Sequence, residues 1–299
     1  MLNIVNNNKK VVIFTGATDG IGRETINLLA QERGLKLILT ARNIEKGNKV
    51  VEELIRDYQS KNDELEVSVM KMDMSSLESI REFVRDFKAL NIPLDTLVCN
   101  AGVMPSTYQT TKEGYEYNFG INHLGTFLLT YLLVDKLNQS TFGGNIVIVA
   151  SKMHIKITKL DMDNLQSNEK TFSSINDYYR SKLLNVLFAK ELDKKLRARG
   201  SNIKVNSLHP GFAVTSLIKG WGYLLQKYIG LMAFIFGNTL DEMADGMASL
   251  TLNKANETGK YYFIKKIQET SKFSNTEGLS EQLWTKTCEL LALPQDLQL

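Results

Sequence analysis

Disulfide bonding, metal binding and membrane crossing all find too little in this sequence to build on. Two cysteines in 299 residues, Cys99 and Cys288, give no disulfide framework, and Cys99 lies in an apolar strand-like run, as in a reduced intracellular protein. The three histidines, His123, His154 and His209, stand far apart and beside no carboxylate cluster, so no metal site is expected. A net charge of +3 with no Lys/Arg stripe argues against a nucleic-acid partner. The opening residues, MLNIVNNNKK, turn polar too soon for a signal peptide, and the expected location is cytoplasmic. In the segment 217–240, LIKGWGYLLQKYIGLMAFIFGNTL, the longest uncharged run is 13 residues. A spanning helix needs ~20. Two readings of that segment stand: an apolar flap over a greasy pocket, or shallow docking on an ER or lipid-droplet surface with Trp221, Tyr223 and Lys227 near the headgroups. No internal repeat, low-complexity tract or Pro/Gly/Ser linker divides the chain, so one domain over 1–299 is expected, and a homo-oligomer stays open.

What the sequence does have is core: 43% of residues are hydrophobic and 23% charged, ordinary for a large α/β unit. Apolar runs of strand length at 10–16, 35–41, 66–73, 95–102, 145–151 and 203–211 alternate with longer amphipathic stretches, and KYYFI at 260–264 adds a seventh. Helices are expected from 20 to 32, through the charged stretch holding Lys49 and Glu53, from 113 to 137, and through YYRSKLLNVLFAKEL at 178–192. Near-continuous hydrophobic strands separated by helices are what a parallel sheet covered on both faces requires. The expected fold is α/β: a Rossmann-type doubly wound parallel sheet of about seven strands with helices on both faces, and residues 212–258 as a substrate cap. In such sheets ligands bind outside the carboxyl ends of the strands.

Those ends are informative. The first strand runs into TGATDGIG, where Gly16, Gly20 and Gly22 let the backbone turn tightly into a helix whose N–H groups and positive dipole end suit a pyrophosphate. The spacing is Gly-x-x-x-Gly-x-Gly; the Gly-x-Gly-x-x-Gly fingerprint does not occur. Arg42 closes the second strand. An acidic residue there would bind the ribose 2′-OH, whereas an arginine favours a 2′-phosphate and hence NADP; a solvated surface arginine is the alternative. Asp73 ends the third strand and can accept from an adenine amino group, or cap a helix beginning near Ser75. Asn100-Ala101-Gly102 ends the fourth and lets a ribose or nicotinamide pack against backbone, while Pro210-Gly211 after the sixth would wall the nicotinamide. Ser151 ends the fifth strand, 27 positions before Tyr178.

Tyr178 and Lys182 share a helix face at i and i+4. The same spacing recurs at Tyr108/Lys112, Tyr223/Lys227, Tyr261/Lys265 and Tyr262/Lys266, but none of these follows a strand ending in a hydroxyl residue. The Lys182 ammonium is expected to lower the phenol from its usual pKa of about 10. With Ser151 donating to a substrate oxygen, the trio can move a proton while a nicotinamide moves a hydride.

In order along the chain, TGATDGIG, TAR, MDMSS, CNAG, NHLG, IVIVAS, YYRSK and HPGFAVT resemble the short-chain dehydrogenase/reductase family over essentially the whole length. The resemblance implies Tyr178 as general acid/base and Lys182 as the lysine that binds the nicotinamide ribose and tunes the tyrosine. It implies Ser151 as the serine that positions the substrate carbonyl, and Asn122 of NHLG as the asparagine that holds a water in a proton relay. For the cofactor it implies the turn residues Gly16, Thr18, Asp19, Gly20, Ile21 and Gly22, then Arg42, Asp73 and Met74, then Asn100, Ala101 and Gly102. Tyr178, Lys182, Pro210, Gly211 and Thr215 complete that set. NHLG-x-F-L-L-T, the loop holding Asn164-Leu165 and the ending TEGLSEQLWTKTCELL look closest to retinol dehydrogenases. Ala150 stands where those relatives often carry a first serine, Cys99 where they often have an asparagine, and the chain starts almost at its first strand where many have a membrane anchor. An apolar wall over 221–236 points to a lipophilic substrate of retinoid, steroid or fatty-aldehyde type. The expectation is an NADP(H)-dependent oxidoreductase; a non-catalytic NADP-binding regulator or scaffold of the same fold is the rival.

Overall fold

Every expected apolar run forms a strand in the computed structural model, which describes residues 9–212, 221–222, 227, 237–297 and 299. They are β1 (Lys10–Thr15), β2 (Leu35–Ala41), β3 (Glu66–Lys71), β4 (Thr96–Cys99), β5 (Asn145–Val149), β6 (Lys204–His209) and β7 (Tyr261–Phe263). An eighth, β8 (Lys266–Gln268), extends the sheet, whose order is β3-β2-β1-β4-β5-β6-β7-β8. The first seven are parallel and β8 returns antiparallel to β7. Winding steps outward from β1 to β3 and then returns to lay β4 beside β1, with Val12 opposite both Leu37 and Thr96. That reversal opens the crevice in which a doubly wound sheet binds its ligand.

Side chains alternate across the strands, so each strand feeds two cores. Val12, Phe14 and Val147 point to one face, covered by α1 (Gly20–Leu29), α2 (Ile44–Tyr58) and α6 (Leu240–Thr251). Val11, Ile13, Ile146 and Ile148 point to the other, covered by α3 (Leu77–Ala89), α4 (Thr126–Asn138), α5 (Ser174–Ala198) and α7 (Leu279–Leu290). On that second face Trp284 of α7 closes an aromatic cluster, its ring centroid 4.8 Å from Phe127 and 6.1 Å from Phe188. Side-chain caps start the helices: Asn43, Ser76 and Ser173 each accept a backbone N–H of the first turn, and Thr239 with Glu242 forms a capping box. Cys99 and Cys288 are free and buried.

Two expectations need correction. The cap expected over 212–258 is not one unit, because α6 within it buries Met243, Ala244 and Met247 in the sheet-covering layer against α1. Residues 213–220, 223–226 and 228–236, with Thr215, Tyr223 and most of the apolar segment, lie outside the described residues. The helix expected from 113 begins later, at Asn118, and its first eight residues, Asn118–Gly125, form a π-helix that leads into α4. Upstream, Gly114 turns at φ +84° and Thr110 bridges Glu116, which folds 110–116 into a small hairpin instead. Among the described residues no helix is long and apolar enough to cross a membrane.

Candidate active site

The turn after β1 is locked by its neighbour across the crevice. Thr15 Oγ1 accepts the N–H groups of Asn100 and Ala101, each at 2.9 Å, and donates to the Val98 carbonyl. The Asn100 amide donates to the carbonyls of Thr15 and Gly16, both at 3.0 Å. Gly16 sits at φ +70°, and a Cβ on Gly22 would fall 2.1 Å from the Gly16 carbonyl oxygen, so only glycine lets α1 start this close to the sheet. Asp19 caps α1 by accepting the Gly20 N–H at 2.8 Å, and its other oxygen lies 3.7 Å from Lys46 Nζ. Thr18 and Ile21 are half-buried on the same turn. The Asn100 side chain is thus a staple across the turn that starts α1.

The outer cleft beyond β2 and β3, about 490 Å³, is lined by Arg42, Lys71, Asp73, Ser76 and Lys112 among others. Arg42 is exposed, with Nη1 3.4 Å from the Tyr117 hydroxyl. Asp73 commits Oδ1 to the N–H and hydroxyl of Ser75, while Ser76 caps α3. The helix cap weighed for Asp73 thus falls to Ser76, and Asp73 instead closes the turn that leads into α3. The Met74 methyl packs over Gly125 of the π-helix. Basic groups at the outer end, helix N–H groups in the middle and small backbone at Gly102 form a trough that fits a phosphate-bearing dinucleotide.

At the inner end the structure brings the four expected catalytic residues together. Ser151 lies two residues past the end of β5, and its Oγ accepts the Met153 N–H at 3.2 Å, capping a short 3₁₀ turn, Lys152–Lys156. Ser151 acts on the Tyr178 phenol, opposing the effect of its burial. Lys182, 3% exposed, donates from Nζ to the Val149 carbonyl at 3.0 Å and lies 5.5 Å from the Tyr178 ring centroid. Gly102 adjoins both partners: a Cβ there would lie 3.3 Å from Asn122 Oδ1 and 3.5 Å from Lys182 Nζ. Pro210-Gly211 completes the wall, with Gly211 at φ +124° against Asn238.

One chemical expectation changes. The phenol of Tyr178 is not made more acidic; burial pushes it up to about 12, with Ser151 opposing. Lys182 is drawn down to about 8 by the same desolvation. Its nitrogen faces the ring and the Val149 carbonyl, so low polarizability of the surroundings outweighs its attraction for a phenolate. Asn122 is fully buried and its side chain clamps the Val103 backbone, accepting from N at 2.8 Å and donating to O at 3.0 Å, with Ser181 Oγ also within 3.0 Å. The side chain thus shapes the loop after Gly102.

Three further residues shape the site, and of these only Glu116 escaped the sequence reading. His154 is fully buried with Nδ1 2.7 Å from the Ser151 carbonyl, and Nε2 accepts the Ser271 N–H at 3.1 Å. A backbone N–H can only donate, so the ring proton sits on Nδ1. Glu116, 1% exposed, accepts the N–H groups of Asn118 and Phe119 and so caps the π-helix that carries Asn122. Trp221 donates from its indole to the Met104 carbonyl at 3.1 Å, which brings an aromatic plate to the loop that follows Gly102. A carboxylate ahead of NFGINHLG hints at the role of Glu116, while the hydrogen bond of His154 and the wall position of Trp221 follow from their places after Ser151 and at the start of the apolar segment. Of the rival Tyr/Lys pairs, Tyr261 and Tyr262 lie on a strand and Tyr108 in a loop, and Tyr223 is outside the described residues.

Residues 10–160 match the family described as short chain dehydrogenase. Retinol dehydrogenase 11 of Mus musculus is 37% identical over 96% of this chain and 88% of its own length. Polyprenol dehydrogenase of Homo sapiens is 36% identical over 94% of this chain and 84% of its own length. Among solved structures, a protein from Mycobacterium paratuberculosis superposes with a TM-score of 0.74 and 26% identity, covering 97% of this chain and 95% of that one.

Proposed function

The chain belongs to the short-chain dehydrogenase family, in its retinol dehydrogenase-like branch, and from that membership we propose that it moves a hydride between NADP(H) and a lipophilic alcohol or carbonyl. The observation that carries this reading is the Lys182 ammonium 5.5 Å from the Tyr178 ring, with Ser151 just past β5 and Gly102 beside the ammonium. When bound, the nicotinamide supplies or accepts the hydride. Arg42 binds the 2′-phosphate, and the α1 N-terminus the pyrophosphate.

For the proton, the chain's own residues suffice. Ser151 Oγ accepts from Met153, which leaves its O–H to donate to the substrate oxygen. Tyr178, kept protonated by burial, gives its proton to that oxygen as charge develops there. Lys182, at about 8, is charged about ten to one at pH 7 and steadies the phenolate left behind. A phenol held in its acid form suits carbonyl reduction better than alcohol oxidation.

A lipophilic substrate is supported by apolar side chains exposed around the mouth: Ile155 after Ser151, Ile175 before Tyr178 and Phe212 after Gly211. Retinol and polyprenol, in the names of two relatives, are themselves lipophilic alcohols. The test is turnover of retinal and other apolar aldehydes followed by NADPH absorbance, with NADH in parallel. Tyr178→Phe is expected to lose at least about 100-fold in kcat while binding NADPH normally. A Tyr178→Phe variant of unchanged turnover overturns the mechanism and leaves the scaffold reading. A clear preference for NADH overturns the role of Arg42.

A further inference from the structure

Ser151 stands at one end of a line of hydrogen bonds that runs well beyond the strand ends. Its carbonyl accepts from His154 Nδ1 at 2.7 Å, and His154 Nε2 accepts the Ser271 N–H at 3.1 Å. Ser271 lies in the turn after β8, and that turn is wound around a single ammonium. Lys190 of α5 donates to Thr270 Oγ1 at 2.7 Å, the Ser274 carbonyl at 3.1 Å and Asn275 Oδ1. Thr270 Oγ1 in turn donates to Asn275 Oδ1 at 3.2 Å. Ser274 ties back to Ser271 twice, N–H to Oγ at 3.1 Å and Oγ to carbonyl at 2.7 Å. Lysine is the side chain that can aim three donors from one atom at converging acceptors, and all three are spent here. Ser271 is bracketed by these contacts, so the ammonium sets where its N–H points.

We propose that Lys190 is a positioning residue for Ser151, acting through the 270–275 turn and the His154 ring. This role rests on the reading of Ser151 as the residue that holds the substrate oxygen. One helix thereby grips the end of β5 from two sides. Lys182 and Asn185 of α5 donate directly to the Val149 carbonyl, at 3.0 and 3.3 Å. Lys190, about two turns beyond Lys182, reaches Ser151 indirectly. The helix that carries the Tyr178 phenol thus also sets where the serine stands relative to it. Charge-assisted bonds to three acceptors make the turn a stiff anchor. His154 suits the relay because one ring nitrogen donates while the other accepts, and burial keeps the ring neutral. The Tyr261 ring, edge-on at 5.0 Å, keeps the imidazole from tilting. A displacement of about 1 Å at the serine is enough to cost turnover steeply.

The experiment is a double-mutant cycle in kcat on the full-length protein, joined to hydrogen exchange of the His154 ring proton by NMR with isotopically labelled histidine. Lys190→Met should lower kcat for carbonyl reduction about five- to tenfold at unchanged KM for NADPH. In a His154→Phe background it should lower kcat no further, because the line to the serine is already cut. The Nδ1 proton of His154 should exchange with solvent at least about tenfold faster in Lys190→Met than in the wild type. Thr270→Val removes one acceptor and keeps the side-chain shape, so it should move both readouts the same way by about two- to threefold. If Lys190→Met does not fold, Thr270→Val carries the test. Losses in kcat that multiply across the cycle, or a ring proton indifferent to both substitutions, overturn the proposal. If the wild type reduces no apolar aldehyde with NADPH, the hydride-transfer reading itself falls and this role with it. An active wild type beside an unimpaired Lys190→Met sinks the role of Lys190 alone.

Discussion

Burial governs the titrating residues at the strand ends: Tyr178 is pushed up to about 12, Lys182 drawn down to about 8 and His209 down to about 4. At neutral pH this stores a phenol that holds its proton beside an ammonium that holds its charge. Lys182 is protonated below about 8 and neutral above it, so kcat/KM for carbonyl reduction should fall as pH rises through that value; a flat profile there would remove the lysine from the mechanism. His154 acts one bond further out, tying the Ser151 carbonyl to Ser271. His154→Phe keeps the packing against Tyr261 but strands both backbone partners. Thermal unfolding should report a loss of about 1–3 kcal/mol, and steady-state kinetics a drop in kcat of about tenfold with little change in KM. Nothing in the sequence could pair His154 with Ser271, 117 positions on. Tyr178, Lys182 and Ser151 were legible because a helix spacing and a strand end fix them locally.

Among the elements, the π-helix Asn118–Gly125 has the greatest bearing on the site. Its eight residues are all buried, and its start depends on the Glu116 carboxylate, which holds the Asn118 N–H, the Asn118 amide and the Phe119 N–H at 2.8–2.9 Å. Burial raises the Glu116 pKa and these bonds oppose the rise. Glu116→Gln turns an NH₂ group toward N–H donors, and a loss of about 1–3 kcal/mol in chemical denaturation is expected, with reduced turnover as Asn122 shifts. Apolar periodicity found a helix here but could not tell a π register from an α one. β1, β2 and β4 to β6 were legible because strands covered on both faces are apolar throughout. β8 was not: Lys266, Ile267 and Gln268 are all exposed, and only the hairpin with β7 makes them a strand. Asp19 and Asn100 read as cofactor contacts, yet each spends a side-chain group on the glycine turn, a local use that composition cannot separate from ligand binding.

For the molecule as a whole, three buried neutral histidines predict acid lability. His123 is drawn from an ordinary 6.5 to about 3, His209 to about 4, and His154 is lowered too, all through desolvation. The unfolded chain takes up protons as pH falls below 6.5 while the folded one does not, so stability is lost on that side. One unit below that value, His123 and His209 together should cost about 3 kcal/mol, with His154 adding in the same direction. Scanning calorimetry should show Tm dropping between neutral pH and that point, and His123→Gln should flatten the dependence. The margin of the sheet has a different consequence. Its final ladder is a three-residue stub bearing Lys266, which offers a neighbouring molecule almost nothing to zip onto. Cutting away that stub would bare the rung of Tyr261 and Tyr262, and the damage would surface on heating as fibrous self-association, turbidity ahead of unfolding, rather than as slower chemistry.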